Sequence, residues 1–476
     1  MLSAASFRDP DGFCFAWDDK ILRAVDSQAL AAIEPFLSSA AAGGLVARRQ
    51  LVPTRRLSPS EVDRLSASEE FQSLARGRVV AAVFEHEKVE FASYPYEWAP
   101  EMLHAAGMLT LDLAQACLAE GYSLKDATPY NILFPGCAPV FIDVLSFERR
   151  NPRDPIWRPH AQFCRTFLLP LLANRLWGIR LADAFTGRRD GLDPAEVYRL
   201  CGPVRKLLPP LLTLVSLPKW LSGTGTRKSM YRDRLVADPR SARFVLDSLF
   251  NRLRRALRSV RPEEPRRTVW SGYMDSHTYT EAGFKAKEDF VRGFLSEHKP
   301  ARALDVGANT GHFSTLAARS AARVVAIDYD PGCVGQLWQR AQEWGSGILP
   351  LVVDLSRPSP ATGWRNRECA SFLARAHGAF DAVLMLAVLH HLLVTERIPV
   401  EEVLELAANM TTCWLVIEFV SPQDEMFKTL ARGRDHLHAG FTRASFEAAC
   451  QRLFRIVRSE QLPGTDRWMY LLEKAV

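Results

Sequence analysis

Beyond residue 300, short apolar runs alternate with longer amphipathic stretches. Residues 301–304, 323–327, 348–353, 382–386 and 414–417 are rich in Val, Ile and Leu and read as strands. Residues 312–320, after the first run, read as a helix. Buried strands alternating with helices predict a doubly wound parallel α/β sheet, which takes its ligands beyond the carboxyl ends of the strands. Four of the five runs lead into an acid there: Asp305, Asp328, Asp354 and Glu418.

The pattern upstream differs. An aromatic, proline-broken segment at 93–100 precedes a helix predicted over 101–120; its rings read as packing or as a platform for a flat ligand. Strands are predicted at 132–134 and 140–142, on either side of a turn at Pro135-Gly136. Farther along, Phe244, Leu246, Leu249, Leu253 and Leu257 recur at helical spacing, with Arg252, Arg254, Arg255 and Arg258 between them. Prolines 262 and 265 end this stretch. The expected organisation is an N-terminal mixed α+β domain over 1–222, a basic helical connector over 223–268 and an α/β domain over 269–476.

Composition narrows the class. The 476 residues are 47% hydrophobic and 24% charged, which excludes a disordered or fibrous chain. The net charge is only +6, but residues 223–268 hold thirteen Lys/Arg against five Asp/Glu, so the rest of the chain is near neutral. That connector could bind nucleic acid or an anionic membrane, or be a solvated face whose leucine stripe packs on its own protein; the last reading is favoured. The nine cysteines are dispersed with no C-x-x-C pair, which argues against a disulfide framework or structural zinc and for a reducing compartment. The most apolar windows, 163–181 and 207–221, are interrupted by Arg, Asn and Pro, and no secretory leader is evident. A cytoplasmic protein is expected.

The turn after the first strand carries the chemistry. Gly307-Ala-Asn-Thr-Gly311 permits a tight turn and close helix packing, but Asn309 stands where a pyrophosphate-binding loop has its middle glycine. No Gly-Lys-Ser/Thr follows. A nucleoside ligand without a pyrophosphate fits better than NAD or ATP. Asp328 lies 23 residues after Asp305, near the spacing at which an acid meets ribose hydroxyls.

Leu304-Asp-Val-Gly-Ala-Asn-Thr-Gly311, Ala326-Ile-Asp-Tyr-Asp330, Asp354 and the run from Phe380 to His390-His391-Leu392 together resemble the class I S-adenosylmethionine (SAM)-dependent methyltransferases. Runs at 454–457 and 468–472 look like the hairpin that closes that fold. The segments at 363–368 and 417–424 look like a bacterial subset that includes nodulation-type proteins. The resemblance implies a Rossmann-like seven-stranded sheet. It implies that Asp305, Gly307 and Gly311 shape the pocket for the methionine half, that Asp328 accepts both ribose hydroxyls and that Asp354 lies by the adenine amine. Asn309 departs from the usual small residue there. Leu386 to His390 would line the floor beside the methyl group. His390 and His391 are candidates for the base, since a His near pKa ~6.5 suits proton transfer at neutral pH; the alternative is that one caps the strand end. Glu418 is a further candidate base or a salt-bridge partner. Trp364 and Arg367 shape the acceptor pocket or are packing and surface.

In the N-terminal half, Asp126, Asn131 and Asp143 in the stretch from Leu124 to Asp143 resemble the catalytic and metal-binding loops of protein kinases and small-molecule phosphotransferases. That template implies Asp126 as base, with Asn131 and Asp143 on Mg²⁺. Leu124-Lys125 and Val144-Leu145 depart from it, no glycine-rich loop precedes it, and no ATP-anchoring Lys is evident. Lys20 and Lys88 are misplaced, and Arg48-Arg49 fall on an expected strand. Active phosphotransfer with Mg-ATP is therefore not favoured; the alternative is a substrate-binding or scaffolding cap held by Asp126 and Asn131. The primary functional expectation is methyl transfer to an O, N or C nucleophile of a small or medium metabolite. The alternatives are an RNA methyltransferase using the basic connector and a non-catalytic SAM-binding scaffold. The oligomeric state is not legible.

Overall fold

The computed structural model describes residues 9–221, 235–262, 280–320, 323–345 and 347–475. The linker expected after residue 262 and the domain start at 269 lie outside the described residues.

The N-terminal half opens with an antiparallel sheet of four strands, β1 (Gly12–Trp17), β2 (Lys20–Val25), β3 (Thr54–Arg56) and β4 (Ala82–His86), in the order β1-β2-β4-β3. Alternation along β1 sends Phe13 and Phe15 to one face, where they pack with Leu22, Leu57, Phe71 and Val83 in a small core of their own. The helix Pro100–Leu118 follows. Pro100 sits at its first turn after the extended Ala99, and twelve of its nineteen residues are buried. Two short antiparallel pairs lie beyond it: β5 (Tyr122–Leu124) with β8 (Phe147–Arg149), and β6 (Ile132–Leu133) with β7 (Val140–Phe141).

The basic helix runs Pro239–Ser259 and packs on Pro100–Leu118. Gly107 permits this, since a Cβ there would lie 3.1 Å from Leu257 and 3.2 Å from Phe167. Arg254 bonds Asp112 at 2.7 Å across the contact. The buried stripe is Leu246, Phe250, Leu253 and Leu257; Phe244 is 75% exposed and Leu249 only half-buried, so the seam runs one turn position away from the sequence expectation at its N-terminal end. Gly43 and Gly44 lie inside the helix Ala40–Ala47, and Arg48 and Arg49 form the turn that ends it rather than a strand.

The C-terminal half is a seven-stranded sheet: β9 (Arg302–Val306), β10 (Arg323–Asp328), β11 (Ile348–Val352), β12 (Phe380–Met385), β13 (Thr411–Val420), β14 (Phe454–Gln461) and β15 (Arg467–Lys474). The order is β11-β10-β9-β12-β13-β15-β14. The first five are parallel, and β15 inserts antiparallel between β13 and β14. The order reverses between β9 and β12, and a crevice opens at such a switch point. The chain is thus α/β in this half, with the seven-stranded doubly wound sheet expected from sequence.

The two halves share one buried core. Arg375, on the helix Phe372–Ala376, reaches into the N-terminal half. It pairs with the fully buried Glu97, donates to Ala92 O at 2.5 Å and stacks over Phe91 and Tyr94. Trp338 Nε1 and Gln342 Nε2 both donate to Cys137 O, at 2.8 and 3.1 Å. In the 93–100 segment, Trp98 and Tyr96 are buried as packing. No single helix among the described residues is long and apolar enough to cross a membrane. None of the nine cysteines is in a disulfide.

Candidate active site

The turn after β9 is dictated by crowding. Gly307 has φ 69°, and a Cβ there would lie 2.4 Å from Val388. Gly311 has φ 85°, and a Cβ there would lie 2.1 Å from Leu337. Only glycine meets both conditions at low cost. Asn309 is also left-handed, at φ 50°, a conformation asparagine tolerates. Its backbone N–H donates to Asp328 Oδ2 at 2.9 Å, and the Asp330 N–H donates to Oδ1 at 2.9 Å. The Tyr329 N–H donates to the same carboxylate, so Asp328, at the end of β10, is fixed in orientation by three backbone donors with acceptor capacity still left for a ligand. Burial pushes its pKa up to about 6, against the opposing pull of these backbone hydrogen bonds.

A cavity of about 890 Å³ opens beyond the strand ends. Its walls include Gly307, Asn309, Asp328, Asp354, Leu386 and His391. Asp354 accepts from Ser356 N at 2.9 Å and pairs with Arg357 at 3.0 Å; Arg357 in turn grips Glu396 at 2.7 Å. Ile327, Val353 and Leu355 add apolar surface beside these polar groups. Ala387, at φ 56°, is a left-handed non-glycine residue at the cavity floor.

Asp305 and Gly311 stand behind the turn rather than on the cavity wall. Asp305 is buried and accepts from Ser314 Oγ at 2.5 Å; burial lifts its pKa to about 7. The two histidines separate. His391 lines the cavity, and burial lowers its pKa to about 4, with Arg467 adding to the effect. His390 is 1% exposed, its ring lies tilted against His391 with centroids 4.3 Å apart, and it is off the cavity wall. Neither of its ring nitrogens has a hydrogen-bond partner among the described residues, and burial holds its pKa well below the usual value.

Glu418 is fully buried away from the wall. Lys287 Nζ donates to its Oε2 at 2.7 Å, Arg467 Nη1 lies 3.5 Å from Oε1, and Arg467 Nε donates to Asp424 at 2.8 Å. Lys287 and Arg467 escaped sequence reading. Lys287 sits in an amphipathic helix, Glu281–His298, where a lysine ordinarily reads as surface. Asp424 N-caps Glu425–Ala431, so this cluster fastens a helix of the cavity wall to the sheet. Trp364 is 61% exposed, and neither it nor Arg367 lines the cavity.

The N-terminal constellation is wired differently. Asn131 Nδ2 donates to Ser146 Oγ at 3.1 Å, and Ser146 Oγ donates to Asp143 Oδ2 at 2.6 Å. The other oxygen of Asp143 pairs with Arg23 at 3.3 Å, and Arg23 also holds Asp9 at 3.2 Å. Arg23, on β2, was not singled out in the sequence. Lys20 pairs with Glu85, and Lys88 with Asp19. Asp126 is exposed. No cluster of three or more His, Cys, Asp or Glu suited to a metal ion occurs among the described residues.

A glycine turn at a sheet switch point, an oriented carboxylate one strand over and an apolar cavity between them define a class I SAM-dependent methyltransferase. The family model described as a methyltransferase domain matches residues 279–452. The nodulation protein NoeA of Rhizobium meliloti (strain 1021) is 32% identical over 476 residues, covering 99% of this chain and 96% of that one. The chain belongs to the NoeA family of nodulation proteins, and it binds SAM as donor. Among solved structures, the N-methyltransferase NodS from Bradyrhizobium japonicum WM9 is 16% identical, with 41% of this chain and 98% of that chain covered at a TM-score of 0.31. The bifunctional kinase-methyltransferase WbdD is 18% identical, with 44% of each chain covered at a TM-score of 0.29.

Proposed function

We propose that this chain moves a methyl group from SAM to an O, N or C nucleophile of a small or medium metabolite, within the 890 Å³ cavity. The observation that carries this reading is the convergence of the Gly307–Asn309 turn, Asp328 and His391 on one wall. Asp328 turns its remaining acceptor capacity to the ribose hydroxyls, while the N–H groups of Asn309, Tyr329 and Asp330 hold it still. Asp354 offers its carboxylate to the adenine amine among Ile327, Val353 and Leu355. Gly307 and Gly311 keep the turn compact, and Asp305 braces it through Ser314. Leu386 forms the floor beside the reacting centre.

Bound SAM supplies an electrophilic methyl group. His391, neutral at pH 7 because burial depresses its pKa, takes the proton released by the attacking O–H or N–H. His390 packs beneath it and positions the imidazole. Glu418 serves the ion-pair cluster rather than proton transfer. For the N-terminal half we propose a cap: Arg23 neutralises the carboxylate that a metal would need, and Arg375 and Glu97 lock the half onto the methyltransferase sheet.

Calorimetry with S-adenosylhomocysteine tests the donor assignment. Asp328→Ala removes the charged acceptor of the ribose and is expected to weaken binding by about 100-fold. Equal affinity in the variant and the wild type would remove the ribose assignment.

A further inference from the structure

The same cavity is also lined by Leu392, Leu393, Leu430 and Leu437 and by Arg397, Arg432 and Arg434. The cavity is lined by three acids, Asp328, Asp354 and Glu396, against four arginines, Arg357, Arg397, Arg432 and Arg434, and Arg357 alone pairs with both Asp354 and Glu396. No ion pair or side-chain hydrogen bond engages Arg397, Arg432 or Arg434 among the described residues. Two of the three occupy left-handed backbone, Arg397 at φ 58° and Arg432 at φ 49°. Arg432 is the C-cap of the helix Glu425–Ala431, and Arg397 directly follows Glu396, the C-cap of the helix His391–Thr395, so the left-handed backbone marks two helix ends that border the cavity. The donor adds to the imbalance, because its sulfonium and ammonium outnumber its one carboxylate. A cationic acceptor would enter a cavity whose surplus charge is already positive, with the repulsion growing as water is displaced.

Building on the donor reading above, we propose that the acceptor is an amphiphilic oxyanion. Its apolar body lies along the leucines, and its carboxylate, sulfate or phosphate is gripped by Arg432 and Arg434 with Arg397 across from them. Guanidinium suits this role, since its planar fork matches the two oxygens of such a group. The anion is the anchor, and the methylated atom lies toward His391.

The test uses the full chain saturated with S-adenosylhomocysteine, titrated calorimetrically with octanoate, octyl sulfate, octanol and octyltrimethylammonium. The two anions should bind at least tenfold more tightly than the alcohol and the cation. Arg432→Gln with Arg434→Gln should abolish that preference while leaving the S-adenosylhomocysteine affinity within twofold and the melting temperature unchanged. Equal binding of all four probes, or an anion preference that survives the double substitution, would overturn the proposal while leaving the donor site intact. Failure of the wild type to bind S-adenosylhomocysteine at all would overturn both. Sedimentation with phosphatidylglycerol vesicles decides the source of the anion. Capture that is lost in the double variant identifies a lipid-borne acceptor, and no capture alongside octanoate binding identifies a free one.

Discussion

Two loops in this molecule present an acid and an amide at the end of a strand, and they end in opposite electrostatic states. In the C-terminal half, Asp328 takes its fixing bonds from backbone N–H groups, and the carboxylate still borders a cavity. In the N-terminal half, the oxygens of Asp143 go to Arg23 and Ser146, and Ser146 also takes the Asn131 amide. Backbone donors orient a carboxylate without neutralising it, whereas a guanidinium does both. Spacing along a chain therefore finds such a loop, but the charge of what holds the acid decides whether it is available to a ligand.

The contrast can be broken in order of size. Lys287→Met should cost the most in stability, about 3–5 kcal/mol, because it strips the closest partner from the buried Glu418. The urea midpoint measures it, and a loss below about 1 kcal/mol would show that Arg467 alone suffices. His391→Ala should slow methyl transfer by about 10²-fold or more when labelled SAM and a cell extract supply the reactants. Unchanged turnover would hand the proton to solvent. The affinity for S-adenosylhomocysteine should fall roughly tenfold between pH 7 and pH 5, since Asp328, with its pKa near 6, protonates over that window and a neutral carboxyl accepts more weakly. His391 stays largely neutral over that window, so a flat profile would remove Asp328 from the donor site. The smallest effect is expected from Mg-ATP, which should leave the melting temperature of the wild type in place. A rise that disappears in Asp143→Ala would reopen the N-terminal loop as a nucleotide site.

The sheet was legible because its pattern is local. Five runs of β-branched and leucine residues mark five parallel strands, and their acidic ends mark the crevice. The glycines of the 307–311 turn were legible because a tight turn after a strand calls for left-handed backbone, which Gly307 and Gly311 adopt. What escaped depends on contacts distant in sequence. Nothing near Lys287 announces that Glu418, 131 residues later, will bury it. Arg23 meets Asp143 only once β2 lies beside the loop. The separation of His390 from His391 turns on a single step of backbone rotation, which no composition reveals. In the basic helix, Phe244 and Phe250 are equally apolar in sequence, and the contact with Pro100–Leu118 selects Phe250.

Arg375 gives the chain a property that its proline-rich boundary conceals. A cut there would part the covalent chain and leave the joint exposed. The guanidinium would lose its carboxylate, Glu97 would become a stranded charge, and the rings of Phe91, Phe372 and Phe380 would meet water together. Expressed separately, each fragment would carry a sticky wound where the other belongs. The two halves share one buried core, and any attempt to borrow the methyltransferase as a portable module must bring its companion or rebuild that seam.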